Sequence, residues 1–247
     1  MKITILGSSA AYAGKNEGCS SYLLTCGSSR YLVDTGPGCV SFMQNYITFS
    51  DINGIFLSHL HADHMSDIYT LRYAVFIAQR DGHMKPGLPI YMPSDPKKTF
   101  RFIRETVMQE MDITEISQQI HPHIDGLSVH FLKTTHPIDT YAIRFEYEGR
   151  SIVYTADTAF FNDLVPFCTN TNLLIADATL QSRDRELESM GHMTAASAAG
   201  LARDAGAQKL ILSHIWPEYK KETSLHEAQY VFHGPIFIAE RGQEHTI

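Results

Sequence analysis

Residues 54–64 read Gly54-Ile55-Phe56-Leu57-Ser58-His59-Leu60-His61-Ala62-Asp63-His64. The first four form a short apolar run, the pattern of a buried strand. That run delivers the chain into three imidazoles and a carboxylate, His59 to His64. Extended backbone alternates faces, so His59 and His61 point the same way. The chain then turns, and Asp63 and His64 can face the same cavity from the loop. Imidazole nitrogens beside carboxylate oxygens suit zinc or a similar first-row divalent ion. A solvated histidine-rich loop would follow a polar tract, and this cluster follows an apolar one.

Two metals need more than these four ligands. His136 follows Val129-His130-Phe131-Leu132, Asp157 follows Ile152-Val153-Tyr154-Thr155-Ala156, and His214 follows Leu210-Ile211-Leu212-Ser213. Each is a metal-capable side chain just past an apolar run, where loops from one sheet edge converge. Taken singly, each reads as a surface or capping residue. Taken with the 59–64 cluster, they read as ligands. His83, His121, His123, His130, His226, His233 and His245 lack this placement and are expected on the surface or in packing.

The chain has 247 residues, 44% of them hydrophobic, which is ample for a core in one domain spanning 1–247. Its formal net charge of −7 makes it a poor general binder of polyanions. Cys19, Cys26, Cys39 and Cys168 form no CxxC pair and read as reduced thiols in a cytoplasmic setting. The apolar run Ile3 to Leu6 is too short for a signal peptide, and no membrane span is expected.

Short β-compatible runs lie at Ile3 to Leu6, Ser21 to Thr25 and Arg30 to Asp34. Gly36-Pro37-Gly38 breaks the chain, and a helix is expected to run from there to about Tyr46. Another starts near Ser66 and carries Ile68, Leu71, Tyr73 and Val75. Leu88 to Met92 reads as a strand. Pro96 to Met111 reads as a helix, with Phe100, Ile103, Val107 and Met111 at helical spacing. Further strands are expected at Leu127 to Thr134, Tyr141 to Tyr147, Ser151 to Tyr154, Leu173 to Ala176, Lys209 to Leu212 and Pro235 to Ala239. Helices are expected at Thr194 to Ala205 and Leu225 to Phe232. This order favours two face-to-face sheets with helices outside, an α+β αββα sandwich. A doubly wound α/β fold is the alternative, and the short link from Tyr147 to Ser151 argues against a purely parallel sheet.

The order Asp34, HxHxDH at 59–64, His136, Asp157 and His214 resembles the metallo-β-lactamase superfamily over most of the chain. The resemblance implies an αββα fold with two Zn²⁺ at one sheet edge, Mn²⁺ being a substitute. His59, His61 and His136 would hold the first ion. Asp63, His64 and His214 would hold the second, Asp157 would bridge them, and Asp34 would support the ligand loop. The phosphodiesterase branch is the nearer likeness, because no cysteine sits at a ligand-like strand end. Gly191-His192-Met193-Thr194-Ala195 and Asp177-Ala178-Thr179 are similar to paired motifs of tRNA 3′-processing nucleases. There a histidine protonates the leaving oxygen and an acidic residue, usually Glu, orients it. Here His192 and Asp177 would take those roles, with Asp63 orienting the attacking water. The same Gly191-His192-Met193-Thr194 stretch also reads as a helix start capped by Thr194.

Those nucleases carry a long basic arm that grips tRNA. Here a single hairpin joins His136 to Asp157, and no segment is Gly-rich and basic. The expected substrate is therefore a small cyclic nucleotide, as in bacterial cyclic-phosphate hydrolases or phage anti-Pycsar proteins. RNA processing is the second reading, and a glyoxalase II-type thioester hydrolase the third. Phe160, Phe161, Trp216 and Tyr219 lie near predicted ligands and could stack on a base or serve as core. The resemblance also implies a homodimer, a common isologous arrangement.

Overall fold

The strands bury side chains on both faces, so their runs are near-continuously apolar instead of alternating. In the computed structural model, which describes residues 1–247, they form two seven-stranded sheets. The first holds β1 (Lys2–Gly7), β2 (Ser21–Cys26), β3 (Ser29–Thr35), β4 (Gly54–Phe56), β5 (Leu88–Met92), β6 (Met111–Glu115) and β14 (Glu244–Thr246). The second holds β7 (His123–Ile124), β8 (Leu127–Lys133), β9 (Tyr141–Tyr147), β10 (Arg150–Tyr154), β11 (Leu173–Asp177), β12 (Leu210–Ser213) and β13 (Ile236–Ile238). The orders are β14-β1-β2-β3-β4-β5-β6 and β13-β12-β11-β10-β9-β8-β7.

One core lies between the sheets. Ile3, Ile5, Tyr22, Tyr31, Val33 and Phe56 meet Phe145, Ile152, Tyr154 and Ile175 there. Phe56 packs edge-on against Phe145, with ring centroids 5.4 Å apart. Burying a side chain of this size contributes about 1.5–3 kcal/mol. Two further cores cover the outer faces. Leu32, Ile55 and Ile90 pack under α1 (Cys39–Met43), α3 (Ile68–Arg80) and α4 (Lys97–Val107). Leu174, Leu212 and Val153 pack under α6 (Ala195–Asp204) and α7 (Lys221–Gln229). The layering is αββα.

Each sheet is part antiparallel and part parallel. Strands β3 to β6 are parallel neighbours, as are β10 to β13. The antiparallel steps β8–β9 and β9–β10 turn the chain twice, so β8 ends at the same edge as β10. The β9–β10 turn, Glu148-Gly149, has φ of +50° and +72°, as a two-residue hairpin turn demands. The C-terminal ends of β8, β10, β11 and β12 therefore face one edge, where chemistry concentrates in open sheets.

Several expected boundaries shift. α4 stops at Val107, and Met111 opens β6 instead of closing a helix. Met111 is buried in the same outer core as Phe100 and Ile103, so its spacing satisfied the helical pattern without helical backbone. Tyr73 of α3 is 60% exposed and packs into no core. The last helix begins at Lys221, four residues ahead of expectation. After the strand expected at Pro235 to Ala239, a further strand, β14, returns to pair with β1. β6, β7 and β14 went unpredicted, because Met111–Glu115, His123–Ile124 and Glu244–Thr246 are short and carry little apolar signal. All four cysteines are free and buried. No helix is long and apolar enough to cross a membrane.

Candidate metal centre

β4 ends at Phe56, so His59 and His61 leave from the segment beyond it. Asp63 and His64 sit on a single helical turn, α2 (Ala62–Met65), with His61 at its N-cap. That turn runs tight against the strand-to-helix bend at Gly36, where an added Cβ would meet the Asp63 carbonyl at 2.1 Å. His136 lies three residues past β8, Asp157 three past β10 and His214 one past β12.

These seven residues meet in one place. His61 Nδ1 is 3.1 Å from His59 Nε2 and 3.1 Å from His136 Nε2. His214 Nε2 is 3.2 Å from His64 Nε2 and 3.1 Å from Asp63 Oδ2. Asp157 spans the two groups. Its Oδ2 faces His59 Nε2 at 3.5 Å, and its Oδ1 faces His64 Nε2 at 3.3 Å.

The far nitrogens of four rings are anchored. His64 Nδ1 donates to Asp34 Oδ2 at 2.8 Å, and His136 Nδ1 donates to the Gly191 carbonyl at 3.0 Å. His214 Nδ1 donates to Thr179 Oγ1 at 2.8 Å, while His59 Nδ1 lies 3.1 Å from Ser58 Oγ. Carboxylates and carbonyls only accept, so the proton of a neutral ring sits on Nδ1 and Nε2 turns a lone pair inward. The Nε2 atoms of His64 and His214, 3.2 Å apart with both Nδ1 atoms engaged, therefore call for a cation between them. Asp157 Oδ1 is buried without a hydrogen-bond partner, which is costly unless a cation meets it. The donor set fits first-row divalent ions.

Electrostatics agree. Burial pushes the imidazole of His59 well below its ordinary range, and it lowers His61 and His136 too. Burial thus disfavours the protonated form of these rings, the form that cannot ligate. Burial also pulls on His64, but Asp157, Asp63 and Asp34 reverse it and hold that ring well above its usual value. A cation takes the place of the proton these carboxylates attract.

Asp177 and His192 form a pair beside this cluster. His192 Nδ1 donates to Asp177 Oδ2 at 2.9 Å. Asp177 also accepts from the amides of Thr158 and Thr179, at 3.0 and 2.9 Å. Burial lowers the His192 imidazole, and the Asp177 carboxylate outweighs it, raising the ring to about 9. A bound cation opposes that rise.

The supports were not read from sequence, apart from Asp34. Asp34 is fully buried and accepts from Ser58 N, Ser58 Oγ and Tyr154 Oη at 2.7, 2.8 and 2.9 Å. The Ala11 amide donates to Asp63 Oδ2 at 3.0 Å. Thr179 Oγ1 donates to Asp177 Oδ1 at 2.7 Å, so its lone pair receives His214. Thr179 and Gly191 had a sequence signal, their places in Asp177-Ala178-Thr179 and Gly191-His192-Met193-Thr194. Of the aromatic candidates, Tyr219 is buried in the outer core and donates to Asp184. Trp216 and Phe161 are partly buried against that core, and Phe160 is 41% exposed.

The fold and this cluster are those of a metal-dependent hydrolase. The chain belongs to the metallo-β-lactamase superfamily: a family model described as a beta-lactamase superfamily domain matches residues 29–215. It is 31% identical to the probable metallo-hydrolase YhfI of Bacillus subtilis, over 98% of each chain. The crystal structure of YhfI matches with a TM-score of 0.93 at 30% identity, covering 99% of this chain and 98% of that one. A ribonuclease Z of Archaeoglobus fulgidus is 27% identical, over 97% of this chain and 95% of its own length. The short form of human tRNase Z shares the fold, with a TM-score of 0.80 at 22% identity over 100% and 99% of the two chains.

Elemental analysis of purified protein is expected to show metal at the centre, and chelation to lower the midpoint of thermal unfolding. Ligands that bind only the folded state stabilise by about 2.7 kcal/mol at a hundred times Kd. Metal-free protein with unchanged melting on adding zinc or manganese would count against the assignment.

Proposed function

We propose that the protein opens a 3′,5′-cyclic nucleoside monophosphate to the linear monophosphate, with two zinc ions at the centre. The observation that carries this reading is the short path from His136 to Asp157. Between them lie β9, a two-residue turn and β10, leaving no room there for a substrate-gripping arm. The net charge of −7 supports a small substrate over a long polyanion.

His59, His61, Asp63, His64, His136, Asp157 and His214 would hold the divalent ions, which when bound would supply a nucleophile from water at neutral pH and offset charge on phosphate oxygens. Asp63 is fixed by the Ala11 amide, and orients the attacking water or takes its proton. The water oxygen bonds to phosphorus, and the bond from phosphorus to the ribose O3′ breaks. His192 gives O3′ its proton. Its Nδ1 is engaged by Asp177, and its Nε2 has no protein partner, so the exchangeable proton points away from Asp177. General-acid catalysis of this kind contributes about 10²–10⁴ in rate.

Ribonuclease Z relatives that cover nearly the whole chain favour RNA 3′ processing as the second reading. The pairing of His192 with Asp177 counts against the thioesterase reading, which has no use for it.

A substrate panel tests the proposal. It contains 3′,5′-cyclic AMP, GMP, CMP and UMP, 2′,3′-cyclic nucleotides and a 3′-extended tRNA, assayed with zinc or manganese. His64→Ala is the blank. Turnover of at least one 3′,5′-cyclic nucleotide, abolished in the blank, is expected. Mutant-sensitive trimming of tRNA with no cyclic nucleotide turnover would promote the nuclease.

A further inference from the structure

Away from the centre, the fold brings two more histidines together. His130 lies on β8, opposite Arg144 of β9. Its neighbours Val129 and Phe131 join the inter-sheet core, so alternation sends His130 to the outer face. His121 precedes β7 and is pinned from the next residue. The Pro122 carbonyl accepts from Val129 N at 2.9 Å, and a residue before proline is held extended. His121 Nδ1 and His130 Nδ1 then lie 3.3 Å apart. Sequence alone placed both among surface or packing histidines.

Two imidazoles in this relation share either a proton or a cation. Two bonds of 2.0–2.1 Å to one tetrahedral ion would set the ligand nitrogens about 3.3–3.4 Å apart. The surroundings favour the cation. His130 Nε2 faces Glu146 Oε2 at 3.8 Å. At that distance the carboxylate makes no hydrogen bond to the ring, but its charge favours a cation on the pair. Glu146 is held in turn by Arg144 Nε at 2.7 Å. The other Arg144 nitrogens donate to the carbonyls of Phe167 and Thr169 and to Ser151 Oγ. A groove of about 570 Å³ opens on the pair, with Gln118 and Thr169 on its walls. Water entering there can complete a coordination shell.

We propose that His121 and His130 form a second metal site, taking a first-row divalent ion of the zinc class, with Glu146 as its outer carboxylate. The site shares no residue with the hydrolytic centre, and it stands whether or not the cyclic nucleotide reading does. Purified holoprotein would be equilibrated with low micromolar free zinc and its metal content measured. Wild type is expected to hold one more zinc equivalent than His121→Ala or His130→Ala. Glu146→Gln should weaken this equivalent without abolishing it. His64→Ala should retain it while losing metal from the centre. Hydrolysis of an aryl phosphodiester should be unchanged in His121→Ala and His130→Ala. Equal zinc content in wild type and both histidine variants would overturn the site. So would loss of the extra equivalent in His64→Ala, which would assign it to the centre.

Discussion

Asp34→Ala is expected to strip the centre of metal and to cost about 3–5 kcal/mol of stability, the range for removing one partner of a buried charged network. Asp34 accepts four hydrogen bonds, from Ser58 N, Ser58 Oγ, His64 Nδ1 and Tyr154 Oη. Deleting the carboxylate leaves those donors buried and unpaired. Its backbone adds to the loss, because φ at Asp34 is +55°. Alanine is disfavoured by about 1–2 kcal/mol in that region, whereas Asn and Asp tolerate it. Asp34→Asn therefore separates the two effects. It keeps the backbone, but an amide nitrogen turned toward His64 meets the Nδ1 proton. The ring answers by moving its proton to Nε2, which removes the inward lone pair. Asn at this position should fold, yet bind metal about 10–100-fold more weakly, the usual result of losing an outer-sphere partner. Thermal unfolding with and without zinc, alongside metal content, checks both. Wild-type metal affinity in Asp34→Asn would show that the carboxylate does not set the His64 tautomer.

His192→Ala is expected to keep its metal and lose about 10²–10⁴ in turnover of a cyclic nucleotide. The departing ribose oxygen is a poor leaving group and needs a proton. An aryl phosphodiester, whose leaving group needs none, should be affected far less. Equal losses on both substrates would remove His192 from the general-acid role. Metal content carries separate information. Asp177 and His192 also lie close enough to Asp157 and His214 to form a ligand group of their own. Loss of metal in His192→Ala would make it a ligand instead of a proton donor. The geometry argues for the donor, because Asp177 already engages His192 Nδ1 and two backbone amides.

The convergence of ligands was legible because each candidate follows a strongly apolar strand. His59, Asp157 and His214 are delivered by Ile55-Phe56-Leu57, Ile152-Val153-Tyr154 and Leu210-Ile211-Leu212. Those runs are readable locally, and parallel neighbours end at a common edge. The supports were not legible, since their partners are remote. Tyr154 reaches Asp34 across 120 residues, and Ala11 reaches Asp63 across 52. A tyrosine inside an apolar strand reads as core, and here it is core with one polar end. Met111 failed for a different reason: burial alone satisfies a helical spacing, and its backbone is strand. Histidines 121 and 130 were set aside because neither ends an apolar run, yet a hairpin edge brings them within 3.3 Å.

The chain supplies the centre in an order that matters for biosynthesis. The first four candidate ligands lie within residues 59–64, and the last is His214. No nascent chain can enclose the full cluster before residue 214 has left the ribosome. The first sheet is also unfinished until then, because its edge strand β14 follows residue 214 and pairs with β1. Closure of the full cluster thus waits on His214. A chain stopped before residue 214 would hold the histidine-rich motif without its last partner.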